Sequence, residues 1–94
     1  MTDDEMIDLF ESLQPLFESR LNDPDYGDVE DLYEGGEIEA AILSGLRSAA
    51  RESVAVPMEL VMRAAPMYTA GDDRILYTDA ATRLADIEFA AAGA

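Results

Sequence analysis

Apolar side chains recur at intervals of three and four residues along two long stretches of this chain, which is the period of an amphipathic α-helix. In residues 2–22 seven of them fall within roughly 140° of one helical face at 100° per residue: Met6, Leu9, Phe10, Leu13, Leu16, Phe17 and Leu21. Residues 37–54 carry a second stripe: Ile38, Ile42, Leu43, Leu46, Ala49 and Ala50. The sequence therefore predicts two long helices, the first of them capped by Thr2 or Asp3.

Pro15 lies within the first predicted helix, on its polar side. Proline removes a backbone donor, and its ring clashes with the carbonyl four residues earlier, here that of Glu11. We therefore expect one helix kinked at Pro15, or two short helices that meet at residue 14. In the second long helix Gly45 lies at the edge of the apolar stripe, where its missing side chain would allow a neighbouring helix to approach closely.

The acidic segment between these helices is rich in turn formers, among them Asn22, Pro24 and Gly27. Such residues predict a loop over 22–28. A short helical turn at 29–33, ended by Gly35 and Gly36, is expected to follow.

Two further segments complete the expected fold. Pro57 suits a first helical turn and Pro66 ends the segment, so residues 57–65 are predicted to form a short helix, apolar on nearly every side and placed in the middle of the bundle. Residues 67–78 fit either a small hairpin or a final helix capped by Asp72. We prefer the helix because its apolar stripe is unbroken: Leu76, Tyr77, Ala80, Leu84, Ile87 and Ala91.

The chain length of 94 residues is that of one small domain. The predicted architecture of residues 1–94 is accordingly all-α, a small bundle of about four helices. An α+β domain with a short hairpin at 67–78 is the alternative. Small domains bury a modest share of their surface, so we also expect that a homodimer or a bound partner contributes to stability.

The amino-acid composition excludes more classes of function than any sequence motif does. The chain contains no cysteine, histidine or lysine, so it lacks the usual groups for thiol catalysis, a Ser-His-Asp triad, an imidazole metal ligand and a Schiff base. Its 21 acidic residues outnumber six arginines, for a formal net charge of -15. We expect a protein that is not an enzyme, has no catalytic residues and uses no cofactor.

The same charge constrains location and partners. The N-terminus carries acids where a signal peptide needs bases, and the longest apolar stretch is too short to span a bilayer, so a cytoplasmic protein is expected. An anionic surface is repelled by phosphate backbones and anionic lipids. Direct binding to nucleic acid or to a membrane is therefore not expected, and the partner should be a basic protein.

One acidic segment resembles a calcium loop in spacing. Counting from Asp23 as position 1, Asp25, Asp31 and Glu34 fall at the ligand positions 3, 9 and 12 of an EF-hand. Position 6, which requires glycine, is instead Asp28. We therefore interpret the segment as a solvated acidic turn and predict no metal site.

The acids form an array that is suited to partner binding. Asp4, Asp8, Glu11 and Glu18 should share the face of the first helix opposite the core. The predicted partner-binding residues are these four together with the following: Asp25, Tyr26, Asp28, Glu30, Asp31, Tyr33 and Glu34. Tyr26 and Tyr33 are included because tyrosines rimmed by carboxylates are typical of interface hot spots, although tyrosines are as often satellites of a core.

Two functional interpretations remain open. In the first, the chain inhibits or blocks a basic target such as a nuclease, a toxin or a nucleic-acid-binding protein, as an immunity protein, an anti-defence inhibitor or a nucleic-acid mimic would. In the second, it is a structural or adaptor subunit of a larger assembly, such as a phage or secretion component. Its acidity would then reflect a halophilic or high-GC background. Fourteen of the 21 acids precede Arg47, and this uneven distribution favours the first interpretation.

Overall fold

A computed structural model describes residues 1–93, which form five α-helices and no strand within that range. The helices are α1 (Asp3–Arg20), α2 (Asp23–Glu34), α3 (Ile38–Arg51), α4 (Met58–Arg63) and α5 (Gly71–Gly93). A 3₁₀ turn, Ala65–Met67, joins α4 to the segment before α5. The all-α prediction is confirmed, and the preference for a helix over a hairpin at 67–78 is confirmed with it. The expected count of about four was one too low.

α1 is one continuous helix that runs through Pro15. This excludes the expectation of two helices meeting at residue 14, while a bend of the helix axis at Pro15 stays a prediction. The predicted cap is present: the Thr2 hydroxyl accepts from the Glu5 N–H at 3.2 Å, and the Glu5 carboxylate accepts from the Thr2 N–H at 3.2 Å. This reciprocal pair satisfies two N–H donors that the first turn leaves free.

The predicted loop over 22–28 was wrong, because these residues begin α2. The Asn22 side chain accepts from the Asp25 N–H at 2.9 Å, and Pro24 occupies the first helical turn. Asparagine and proline favour turns, but they also favour the N-cap and the first turn of a helix. The glycine pair ends α2 as predicted, since Gly36 has a φ of +82° and the Glu37 N–H bonds to the Leu32 carbonyl at 2.9 Å.

α3 is the central support of the fold, and it packs against α1, α2 and α5. Its buried residues include the predicted stripe, apart from the half-buried Ile38, and extend to Ala41, Gly45 and Ser48. Gly45 allows a close approach, as expected from the sequence. A Cβ built at this position would overlap the ring of Phe17 from α1. Glycine therefore determines how closely α1 can pack against α3.

α4 does not lie in the middle of the bundle, contrary to the expectation for residues 57–65. Val61 is its only buried residue, and Met62 is 59% exposed. α4 instead lies at an edge of the bundle, where it packs mainly against α5 and α1. A six-residue helix can be apolar on all sides and still be covered on one side, because a small bundle has too few elements to surround it.

Candidate protein-binding face

The four carboxylates predicted on α1 all lie on its solvent side. Asp4, Asp8, Glu11 and Glu18 are exposed, whereas the opposite side of α1 supplies Leu9, Phe10, Leu13 and Phe17 to the core. Their spacings of four, three and seven residues keep these carboxylates on one face. The sequence prediction for α1 is therefore confirmed in its geometry.

α2 is still more strongly divided between an apolar side and an acidic side. Val29 is its only buried residue. Its exposed acids occupy the roughly 160° of the helix opposite Val29, at 100° per residue. They are Asp23, Asp28, Glu30, Asp31 and Glu34. The outer surface of α2 is consequently acidic along its whole length.

Two aromatic contacts bring these acidic surfaces side by side. The Tyr26 hydroxyl accepts from Gln14 Nε2 at 3.2 Å and donates to Glu18 Oε2 at 3.4 Å. Near the other end, the rings of Phe10 and Tyr33 stack with their centroids 3.9 Å apart and their planes 5° apart. Because residue 10 lies beside residue 33 and residue 18 beside residue 26, α1 and α2 run antiparallel.

We call the resulting surface the acidic face. It is made of these exposed carboxylates from the two helices: Asp4, Asp8, Glu11, Glu18, Asp23, Asp28, Glu30, Asp31 and Glu34. It borders the line along which α1 and α2 meet. The structure thus combines into one region two sets of acids that lie on separate elements of the sequence.

Tyr26 and Tyr33 are half-buried residues that hold α1 and α2 together. The hydroxyl of Tyr26 is hydrogen-bonded within the chain, and one side of the Tyr33 ring is covered by Phe10. Their contacts explain why tyrosines occur among so many acids. Direct contact of these two residues with a partner stays a prediction.

Asp25 differs from the other predicted carboxylates because it belongs to an ion pair inside the fold. Its Oδ2 lies 2.8 Å from Nη2 of Arg51, and its side chain is 18% exposed. The same Arg51 nitrogen donates to Ser48 Oγ at 3.2 Å. Asp25 therefore ties the start of α2 to the end of α3, and we leave it out of the acidic face.

Glu52 completes this junction. Its Oε1 accepts from the Asn22 N–H at 2.9 Å, while its Oε2 is buried with no hydrogen-bond partner among residues 1–93. The neighbouring Asp25 carboxylate and burial raise the pKa of Glu52. The hydrogen bond with Glu52 and the Arg51 guanidinium lower the pKa of Asp25. We expect a proton shared between the two carboxyls, which would account for both pKa shifts and give Glu52 Oε2 a partner.

A cleft of about 460 Å³ opens at one end of the acidic face. Its apolar lining is Met6, Ile7, Ile38 and Ala40, with Gly36 beside them, and its four carboxylates are Asp3, Glu37, Glu39 and Asp73. Ile7 lies one turn before Phe10 on α1, and Gly36 follows Tyr33 by three residues. The cleft therefore continues the line between α1 and α2 beyond the ring stack.

Sequence reasoning did not group the residues of this cleft. Asp73 comes from α5 and Asp3 from the first turn of α1, so 70 positions separate them in the chain. Tyr68 supports the wall of the cleft, because its buried hydroxyl donates to the Glu39 carbonyl at 2.6 Å. Burial raises the pKa of Tyr68, and the charges of Glu39 and Asp73 raise it further. Only the packing of α1 and α5 against the same helix, α3, brings these groups together.

The cleft combines an apolar lining with carboxylates at its rim. Arginine and lysine side chains combine an aliphatic chain with a charged end, and they bury the chain while the end stays at a polar rim.

The segment that resembles a calcium loop in spacing forms α2, and a straight helix does not wrap its carboxylates around one ion. Among residues 1–93 no group of acids is arranged to hold a metal.

Within the described residues no helix is both long enough and apolar enough to cross a bilayer. Comparison with known proteins adds no relative from which a function could be transferred. The chain matches no protein family model, no curated protein and no solved structure.

Proposed function

We propose that this protein is a non-catalytic cytoplasmic inhibitor that uses its acidic face to bind and block a basic protein, such as a nuclease, a toxin or a nucleic-acid-binding protein. One observation carries the proposal. Tyr26 and the Phe10–Tyr33 stack hold α1 and α2 antiparallel, so that the exposed carboxylates of both helices flank the line along which the two helices meet.

The spacing of the carboxylates supports this class of target. Positions three or four residues apart on a helix place their side chains about 5–6 Å apart, close to the roughly 7 Å between phosphates along a nucleic-acid strand. The carboxylates of α1 and α2 then form two parallel rows of negative charge, which resemble the two phosphate backbones of a nucleic acid bound in a groove. A surface of this kind competes for a basic groove and raises the association rate by electrostatic steering.

The cleft supplies a place for a specific contact. An arginine of the target can lay its aliphatic stem over Ile7 and Ile38 and direct its guanidinium to the carboxylates of Asp3, Glu37 or Asp73. Such an anchored arginine is a common hot spot of protein interfaces. The cleft therefore gives the inhibitor a means to prefer one basic protein over others of similar charge.

The charge of the chain is concentrated where this function needs it. Only one arginine, Arg20, precedes Arg47, whereas the remaining five lie from Arg47 onwards. A solvation adaptation of the whole surface would spread acids over all exposed faces. The segregation of charge supports a dedicated binding surface.

The test compares two quadruple variants that lose equal charge. In the first, Asp28, Glu30, Asp31 and Glu34 of the acidic face become Asn or Gln. In the second, the matched control, four exposed acids outside it are neutralised: Glu59, Asp72, Asp79 and Asp86. Each protein is immobilised, basic proteins are captured from extracts of the cells that express it, and each captured protein is then purified for titration and for assay of its nucleic-acid binding.

We expect the wild type and the control to bind one basic protein and to inhibit its binding of nucleic acid, with an affinity that falls at least tenfold between 50 and 200 mM salt. The acidic-face variant should bind at least tenfold more weakly at low salt. Equal binding by both variants, or binding without inhibition, would contradict the proposal.

A structural or adaptor role is the second candidate, because the C-terminal helices expose Phe89 and Ile75. A partner bound through these residues would be held by burial of apolar area, which salt does not weaken. Partner binding that survives 500 mM salt and the acidic-face substitutions would favour the adaptor.

A further inference from the structure

α5 presents apolar side chains on both of its sides. Its inner side buries Tyr77, Ala80 and Leu84 in the core. On its outer side Phe89 is 81% exposed and Ile75 is 62% exposed. A helix with an apolar side facing solvent is typical of a surface that another element covers.

The outer side of α5 has the spacing of a helix-pairing seam. Ile75, Thr82 and Phe89 follow one another at intervals of seven residues, and Thr78, Ala85 and Ala92 lie three residues after each of them. Alternating steps of three and four are the pattern by which two helices pack along their length. The threonines and alanines are small, so a second helix can approach closely in the middle of the seam, between the larger side chains at its ends.

The same side of the molecule contains an apolar groove of about 320 Å³ between α4 and α5. From α4 and the following turn its lining is Met58, Met62 and Ala65, and from α5 it is Tyr77, Thr78, Ala81, Thr82 and Ala85. Phe89 lies on the same side of α5, about one turn beyond Ala85 at the edge of the groove. The surface thus carries both a protruding aromatic ring and a groove that suits one.

We propose that α5 packs antiparallel against α5 of a second copy of this chain, with Phe89 of each copy in the α4–α5 groove of the other. In this register Thr82 lies opposite Ala85 of the second copy, Phe89 opposite Thr78, and Ile75 opposite Ala92. A parallel arrangement would instead set the two Phe89 rings against each other and leave both grooves empty.

Shape and area favour a second copy as the occupant, although the net charge of -15 on each copy opposes their association. The acids of the seam lie at its margin, as Asp79 and Asp86, and Asp79 is 3.4 Å from Arg83. The rest of the surface is so acidic that two copies meeting elsewhere would repel each other. α5 is about 35 Å long and 10–12 Å wide. Paired with its copy, and extended by Met58 and Met62, it forms an interface below roughly 1,200 Å², the size range of weak, reversible association.

The first test is sedimentation equilibrium of the full chain from about 1 μM to about 1 mM, at low and high salt. We expect a monomer–dimer equilibrium that strengthens with salt, because salt screens the repulsion between the two negative copies. Phe89→Glu should raise the dissociation constant roughly 100-fold or more, as expected for loss of an aromatic ring that fills a groove of the partner copy. Ala90→Glu adds the same charge beside the seam and should change it by less than about tenfold.

The second test fixes the orientation. Because the chain lacks cysteine, single variants Thr82→Cys and Ala92→Cys at exposed positions can be joined by a bismaleimide about 10 Å long. In the proposed register the two residues at position 82 lie roughly 10 Å apart, whereas those at position 92 lie about 25 Å apart. Covalent dimers should therefore form with the Thr82→Cys variant and not with the Ala92→Cys variant.

Three results would overturn the proposal: a monomer at every concentration, a dimer that Phe89→Glu leaves intact, or cross-linking at position 92 comparable to that at position 82. These outcomes are separate from those of the inhibitor test, because the seam of α5 shares no residue with the acidic face or with the cleft. Loss of the dimer without loss of target binding would leave the proposed function standing.

Discussion

The α1–α2 half of the molecule has an acidic surface, and its aromatic rings are covered. The α4–α5 half instead exposes apolar side chains, and the hydroxyls of its tyrosines form hydrogen bonds with the core. In the first half Tyr33 packs by its ring against Phe10. In the second half the Tyr77 hydroxyl donates to the Val61 carbonyl at 2.6 Å. Phe89, the most exposed large apolar residue of this half, lies on the opposite side of α5.

If both proposals hold, one small core supports two surfaces with opposite responses to salt. α3 packs against α2 and against α5, so both halves depend on the same central helix. Salt screens the attraction between the acidic face and a basic partner, whereas it screens the repulsion that opposes contact between two copies. Five predictions test this division, from the largest expected effect to the smallest.

The first prediction concerns the helix that both halves share. Gly45→Ala should lower the free energy of unfolding by roughly 3 kcal/mol, because its Cβ overlaps the Phe17 ring and forces α1 away from α3. Gly27→Ala in α2 is the control, since a Cβ there meets nothing within 4 Å. It should be neutral or stabilising by up to about 1 kcal/mol. Urea denaturation measures both, and equal stability of the two variants would contradict the tight packing at Gly45.

The second prediction tests ring packing in the α1–α2 half. Tyr33→Ala should destabilise the chain by about 2 kcal/mol, since it removes the stack with Phe10 from a half-buried site. Tyr33→Phe keeps the ring and should change stability by less than about 0.5 kcal/mol. If the phenylalanine variant were as unstable as the alanine variant, the hydroxyl and not the ring would hold α1 to α2.

The third prediction is the counterpart in the α4–α5 half. Tyr77→Phe should cost about 1 kcal/mol, because it removes the buried hydroxyl that bonds to the Val61 carbonyl. This loss should exceed that of Tyr33→Phe measured under the same conditions. A smaller loss at Tyr77 would remove the proposed contrast between the two halves.

The fourth prediction uses salt to examine the acidic face in the absence of any partner. Neutralising Asp28, Glu30, Asp31 and Glu34 together should raise Tm by a few degrees at low salt, because these like charges repel one another in the folded protein. In 1 M salt, where the screening length is about 3 Å, the difference from wild type should largely disappear. The four-site control outside the face should give a smaller rise, since its Asp79 is already paired with Arg83.

The fifth prediction concerns the junction of α2 with α3. The pKa of Glu52 is raised from its ordinary 4.5, so its stabilising contribution is complete below that pH and is lost as the pH rises through the higher folded value. The pKa of Asp25 is lowered from 3.8, so its contribution is present above that pH and is lost as the pH falls through the lower folded value. Wild type should therefore lose stability at this junction as the pH rises above the ordinary pKa of 4.5 for Glu52.

Glu52→Gln should remove that loss, because its amide can donate to Asp25 at every pH. We expect its Tm to exceed that of wild type by a few degrees at pH 7 and to match it near pH 4. Glu59→Gln, at an exposed position of α4, is the control and should leave the pH profile unchanged. A profile for Glu52→Gln parallel to that of wild type would show that the two carboxyls do not share a proton.

The sequence was sufficient to predict α1 and α3, because each carries a long stripe of large apolar residues that only a helix gathers on one side. It was also sufficient to place Asp4, Asp8, Glu11 and Glu18 in solvent, since burying four unpaired carboxylates is too costly. It failed at α2, where Asn22 and Pro24 suit a turn and a helix start equally well. Contacts of Val29, Tyr26 and Tyr33 with the rest of the chain determine the outcome there.

What the sequence determines by itself is therefore the set of local preferences: helical periods, capping residues, a net charge of -15 and its concentration before Arg47. Tertiary structure alone decides which distant residues meet. It pairs Asp25 with Arg51, so that the Asp25 carboxylate is partly buried. It also places Asp73 and Asp3 in the lining of one cleft. The reason is physical: periodicity acts over one or two helical turns, whereas the partners of a side chain depend on how all five helices share one small core.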